Sequence, residues 1–115
     1  MADVTVKTID EFENHGGRFF SAGKGLGVTA WGMNAERLPA GWADYPDHDH
    51  AEDGQEEVYV VLEGSATLEA GGESWTLVPG VFARVGAEQK RKITPGGDGV
   101  TLLAIGGTPG KAFGS

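Results

Sequence analysis

Glycine interrupts this chain at short intervals, and the runs between interruptions are rich in β-branched and aromatic residues. There are 20 glycines in 115 residues, and turn signals recur at Gly54, Gly64, Gly71-Gly72, Pro79-Gly80, Gly86 and Pro95-Gly96-Gly97. Glycine supplies the positive φ of tight turns and weakens helix interiors. No stretch keeps apolar residues at 3.6-residue spacing past the next glycine, which excludes long helices. Short strands separated by such signals predict an all-β sandwich or barrel.

Val28 to Asn34 is expected as a strand, followed by a turn at Leu38-Pro39-Ala40-Gly41. Glu57 to Glu63 is a β-branched and aromatic run bounded by Gly54 and Gly64. Beyond it, Ala66, Leu68 and Ala70 alternate with polar residues, as do Trp75 and Leu77, giving one buried and one wet face. Val81 to Val85, Arg91 to Thr94 and Val100 to Ile105 complete the strand set. Thr8 and Glu11 have capping-box spacing, which predicts a short helical turn near residues 8–14. No repeat, linker or composition shift divides the chain, so residues 1–115 are expected as one domain. Its barrel core is expected at about 28–105, with residues 1–27 as a strand and turn extension.

Composition narrows the function. Without cysteine there is no disulfide, no thiolate zinc site and no thiol nucleophile. A formal charge of −8 repels phosphate backbones and anionic lipid, so no nucleic acid and no membrane is expected as a partner. No apolar run approaches the ~20 residues of a membrane span. Met1 to Val4 lack the basic-then-apolar order of a signal peptide. The expected location is cytoplasmic.

His48 and His50 carry the chemistry. Residues i and i+2 of a strand share a face, so two imidazoles ~7 Å apart can converge on one ion. Imidazole suits zinc, nickel, copper and iron. Candidates for a third ligand are Glu52, Asp53, Glu56 and Glu57. Strand parity favours Glu57, with Tyr59 and Val61 on its face and Val58, Val60 and Leu62 on the other. Against this stands an ordinary solvated loop, since Asp44 to Glu57 hold seven carboxylates in 14 residues.

With those residues in view, the chain resembles the cupin superfamily, specifically a small single-domain bacterial cupin. Gly41, His48, His50, Glu57 and Gly64 follow the order of the first cupin motif, glycine, His-x-His, glutamate, glycine. Six residues separate Gly41 from His48 and six separate His50 from Glu57, each more than the family pattern has. The extra residues are expected in a turn at Ala51-Glu52-Asp53-Gly54. The second motif keeps its spacing but not its chemistry. Counted from Gly80, its later positions hold Gly86, Glu88, Arg91 and Pro95, so Arg91 stands where the family has a metal-ligating histidine.

The resemblance implies a double-stranded β-helix, or jelly-roll, barrel. It also implies metal ligands His48, His50 and Glu57 and, as cofactor, one divalent transition metal (zinc, nickel, iron or manganese) or none. Arginine cannot ligate and opposes a dication. It is expected to face inward with Ile93, pairing with Glu57 or with an anionic ligand, and Tyr59 is the aromatic expected in the pocket wall. Tyr45 and Asp44 are expected at the pocket mouth. Trp31, Trp42 and Trp75 suit a core, His15 a surface loop, and residues 106–111 a C-terminal turn rather than a phosphate loop.

Two functions follow. The first is a binding module for a small, anionic molecule, with an optional metal. The second is a metal-dependent enzyme, an oxygenase or isomerase, built on the two histidines and the glutamate. A structural partner protein using only its outer sheet is a weaker third. A homodimer is expected, because Val58, Val60 and Leu62 need cover, which an exchanged strand at Val4 to Val6 would supply.

Overall fold

The computed structural model describes residues 2–113. A 3₁₀ turn at Ile9–Glu11 is held by the predicted capping box, with the Glu11 carboxylate accepting from the Thr8 backbone N–H and hydroxyl. Two short strands follow, β1 (Asn14–His15) and β2 (Phe19–Phe20), then helix α1 (Ala22–Leu26). The main strands are β3 (Gly32–Leu38), β4 (Glu56–Ala70), β5 (Glu73–Leu77), β6 (Phe82–Val85) and β7 (Lys92–Gly107). All pairings between these strands are antiparallel, in the order β1-β2-β3-β7-β4-β5, with β6 on the first half of β4. This is an all-β jelly-roll barrel: the turn spacing predicts the all-β class, and the family resemblance the jelly roll.

The barrel owes its shape to two long strands that bend together. Gly64 and the Pro95-Gly96-Gly97 run are expected to end strands, but β4 and β7 pass through them with 15 and 16 residues. The ladder between them shifts register at Val61/Glu63 and again at Gly64/Ala66, so both strands bulge at the same level. Gly64 has φ +77° and Gly99 has φ +76°. A Cβ on Gly64 would overlap the Gly99 carbonyl, and one on Gly99 would sit 2.9 Å from the Leu38 oxygen. These glycines bend a sheet rather than terminate it, because pairing resumes on both sides.

Inward residues from both halves of β4 and β7 then meet in one core. Tyr59, Val61 and Leu102 come from one half, Leu68 and Ile93 from the other, and Leu77 from β5. Parity along β4 is as expected: Tyr59 and Val61 are buried, while Val58 and Val60 are half-buried on the outer face and Leu62 is exposed.

Three expectations need correction. The strand expected at Val28–Asn34 lies four residues later, because β3 pairs with β7 from Gly32↔Gly106 to Leu38↔Val100. Helix α1 falls in what reads as strand and turn. Its sequence, Ala-Gly-Lys-Gly-Leu, contains two poor helix formers, so packing holds it instead. Phe12, Phe20, Ala22 and Ala35 form a second cluster there, on the outer side of β3. No strand forms at Val4–Val6, whose valines are exposed.

The bend yields a stability prediction. Gly64→Ala combines positive-φ strain with a backbone clash and should lose about 3 kcal/mol. Gly72→Ala, at φ +79° with open space around it, should lose only about 1 kcal/mol. Urea denaturation of the two variants checks the difference.

Candidate functional site

Glu57 is the second residue of β4 and turns inward by the same parity that buries Tyr59. The loop carrying the histidines is pinned across the barrel. His48 and Arg91 exchange backbone hydrogen bonds of 3.0 and 2.8 Å, and the His50 N–H donates to Ala87 O at 2.7 Å. A tight turn then follows, closed by Gly54 N–H on His50 O at 2.7 Å. The residues inserted relative to the family spacing form this turn.

Four side chains converge on Glu57 Oε1. The Tyr59 hydroxyl donates to it at 2.8 Å and Arg91 Nη1 at 3.0 Å. His50 Nε2 lies 3.1 Å away and His48 Nε2 3.8 Å away. The ligand atoms of His48, His50 and Glu57 all lie within 4.8 Å of one another, and the two imidazole rings are nearly perpendicular at 81°. Burial pushes the Glu57 carboxyl up, but His48, Tyr59, His50 and Arg91 outweigh it and hold the carboxyl below its ordinary range. Glu57 in turn raises His48 above the usual imidazole value.

Each imidazole is oriented from behind. His48 Nδ1 lies 3.1 Å from Pro46 O, and His50 Nδ1 lies 3.2 Å from both oxygens of Asp53. A hydrogen bond at Nδ1 leaves Nε2 as the acceptor of a neutral ring. Buried His50 Nε2, although 3.1 Å from Glu57 Oε1, makes no hydrogen bond of good geometry. The donor set therefore fits a divalent transition metal: two imidazole lone pairs and a carboxylate, with outer partners already in place. Asp53, which reads as a solvated loop residue, does the orienting. Its carboxyl is held low, first by the Gln55 N–H and then by His50.

Arg91 is fully buried and inward with Ile93, as expected. Its second amino group donates to Gly86 O at 2.7 Å, and its Nε has no partner. A cavity of about 590 Å³ opens beside His50 and Glu57, walled by Trp31, Met33 and Phe113, with Asn34 and Gln55 as polar groups. Arg91 and Tyr59, expected as ligand contacts, do not line it; both are spent behind the carboxylate. Tyr45 is buried against the His48 ring (5.8 Å between centroids) rather than at a mouth, while Asp44 is exposed. A second depression of about 600 Å³, between Arg18, Arg37, Glu63 and Asp98, shares no residue with the cluster.

Sequence reading missed one interior group, Glu36. It lies on β3, 3% exposed, and its Oε1 has no partner. Burial above all, then the charge of Glu57, pushes its carboxyl up to about 8, against a smaller opposing effect of His48. Alternation of Asn34, Glu36 and Leu38 would have exposed it only if the register of β3 had been known.

No protein-family model matches the chain, and no curated protein matches it. Solved structures do. A cupin protein from Bacteroides fragilis is 26% identical, with 96% of this chain and 92% of that one covered and a TM-score of 0.71. A cupin-superfamily sugar phosphate isomerase from Silicibacter pomeroyi is 23% identical, covering 89% and 74%, with a TM-score of 0.72. A Cupin 2 conserved barrel domain protein from Salinispora arenicola is 14% identical, covering 70% and 65%, with a TM-score of 0.60.

Two measurements test the electrostatics. Arg91→Ala leaves Glu57 buried without its guanidinium and should lose about 3–5 kcal/mol in chemical denaturation. Glu36 keeps its proton in the folded chain up to about 8, whereas the unfolded chain loses it near 4.5. The unfolded state then binds fewer protons, so stability falls as pH rises between those values. Relative to Glu36→Gln, the wild type should lose on the order of 4 kcal/mol across that window in denaturation midpoints.

Proposed function

We propose that this chain, whose fold is that of the cupins, binds one divalent transition metal through His48, His50 and Glu57 and holds a small molecule in the adjoining cavity. The observation that carries the reading is the pair of imidazoles with Nδ1 tied to Pro46 and Asp53 and Nε2 aimed at the Glu57 carboxylate. A bound metal would supply a Lewis acid with coordination positions left open to a ligand. Tyr59 and Arg91 keep the carboxylate ionised and oriented, and Asp53 fixes the His50 tautomer.

The cavity chemistry refines the ligand. Arg91 is occupied, and Lys24 at the cavity's edge pairs with Glu13 at 3.5 Å. Trp31 and Met33 offer apolar walls, and the amides of Asn34 and Gln55 offer hydrogen bonds. A small molecule with hydroxyl or carbonyl groups suits these walls; a negative charge on it would be matched by the metal rather than by Arg91. The enzyme reading, an oxygenase or isomerase, is favoured by one feature: the cavity opens directly beside two of the three ligand residues.

Zinc titration calorimetry tests the site. His48→Ala and His50→Ala should each weaken binding at least about 100-fold, and Asp53→Asn about tenfold. Arg91→His, which adds a third imidazole and so a fourth ligand, should bind zinc about tenfold tighter, or ~1.4 kcal/mol. Zinc affinity indifferent to both histidines would overturn the reading.

A homodimer belongs to the same proposal. On the outer face of β4 and β6, Phe82 is 73% and Leu62 53% exposed, with Val60 paired to Phe82 beside them. A second copy is the cover we assign to this strip. Sedimentation should show a dimer at micromolar concentration and a monomer for Phe82→Asp; a monomeric wild type would count against it.

A further inference from the structure

Among the described residues, Glu36 and Arg91 are the two buried charged side chains, and only Arg91 has a partner that explains its burial. Glu36 points inward from β3. Its register partner on β7 is Leu102, which pairs in turn with Val61 of β4, so Glu36 shares the inner face with Val61, Tyr59 and Glu57. The titratable groups that interact with it are Glu57 from β4 and His48 and Tyr45 from the preceding loop, and Tyr59 shares its inner face. Its neighbours on β2 and β7, Phe19 and Leu102, are apolar. Its Oε1 has no hydrogen-bond partner.

Charge counting shows what such a group is for. In the free site the Glu57 carboxylate and the Arg91 guanidinium cancel. A dication held by two neutral imidazoles and Glu57 would leave two positive charges uncompensated in the barrel interior. Buried charge without a counter-charge is strongly unfavourable. Tyr45 and Tyr59 cannot supply one, because burial pushes both hydroxyls far above the usual phenol range. Glu36 can: its proton is held only to about 8, close to neutrality.

We propose that Glu36 is the counter-charge of this site: it carries a proton while the site is free and releases it to solvent when a divalent cation binds His48, His50 and Glu57. The proposal rests on the metal reading above. One proton leaves per cation bound, a carboxylate remains, and no electron moves. It also explains how a barrel with arginine at a ligand position accepts a dication: the charge that Arg91 adds is removed at Glu36.

The test is zinc titration calorimetry near pH 7 in buffers of different ionisation enthalpy, which counts protons released. The wild type should release about one proton more than Glu36→Gln, and its log affinity should rise more steeply with pH, by about one per unit between pH 6 and 8. Zinc should bind the variant about tenfold more weakly at pH 7. Carbon NMR of glutamate-labelled wild type gives a second readout that needs no variant: the Glu36 carboxyl signal should move from its protonated to its ionised position on adding zinc. Equal proton counts, or a Glu36 signal that zinc does not move, would overturn the counter-charge and leave the metal reading standing. Failure of the wild type to bind zinc at all would overturn both.

Discussion

A single carboxylate oxygen organises the barrel interior. Glu57 Oε1 is met by the Tyr59 hydroxyl, the Arg91 guanidinium and both imidazoles. Arg91 is fully buried, and its burial is tolerable only because Glu57 and the Gly86 carbonyl engage its two amino groups, Nε alone being left unpaired. The dependence is mutual, since Glu57 would be driven toward its neutral form by burial alone. Through this one atom three distant segments, 48–50, 57–59 and 86–91, are joined.

That meeting requires the bend in β4 and β7. Glu57 stands near the start of β4, while Arg91 immediately precedes β7 and pairs with His48. Straight strands ending at Gly64 and Pro95 would leave separate hairpins with no shared interior. The matched bulges carry the ladder around the corner instead, so that residues 57 and 91 face each other. Gly64 and Gly99 are the points where two backbones approach too closely for any side chain.

Arginine at position 91 changes what the interior must balance. A histidine there would be neutral; a guanidinium brings permanent charge that Glu57 offsets at the expense of its own capacity to offset a metal. The unpartnered Glu36 carboxyl sits within the electrostatic reach of the same cluster. Under the counter-charge proposal, the departure at 91 and the buried acid at 36 are two halves of one charge problem, at positions that nothing in the linear order connects.

Much was legible before any coordinates. Local chemistry determined that the chain is all-β, that Thr8 and Glu11 cap a short turn, and that Glu57, Tyr59 and Val61 share an inner face, because strand alternation and capping depend only on near neighbours. Strand parity favoured Glu57 as the partner of His48 and His50, the resemblance to the first cupin motif completed that set, and the inward side of Arg91 followed from its parity with Ile93. What tertiary structure alone decided is register and reach. Whether Gly64 ends a strand or bends one depends on its partner strand. The four-residue displacement of β3 hid Glu36, and packing by Phe12 and Phe20, not propensity, formed the helix at Ala22–Leu26. Asp53 became the support of His50, and Arg91 and Tyr59 turned to the carboxylate rather than to the cavity, through distances no linear pattern contains. Propensity and alternation act over a few residues, whereas pairing, burial and charge balance are set by groups tens of residues apart.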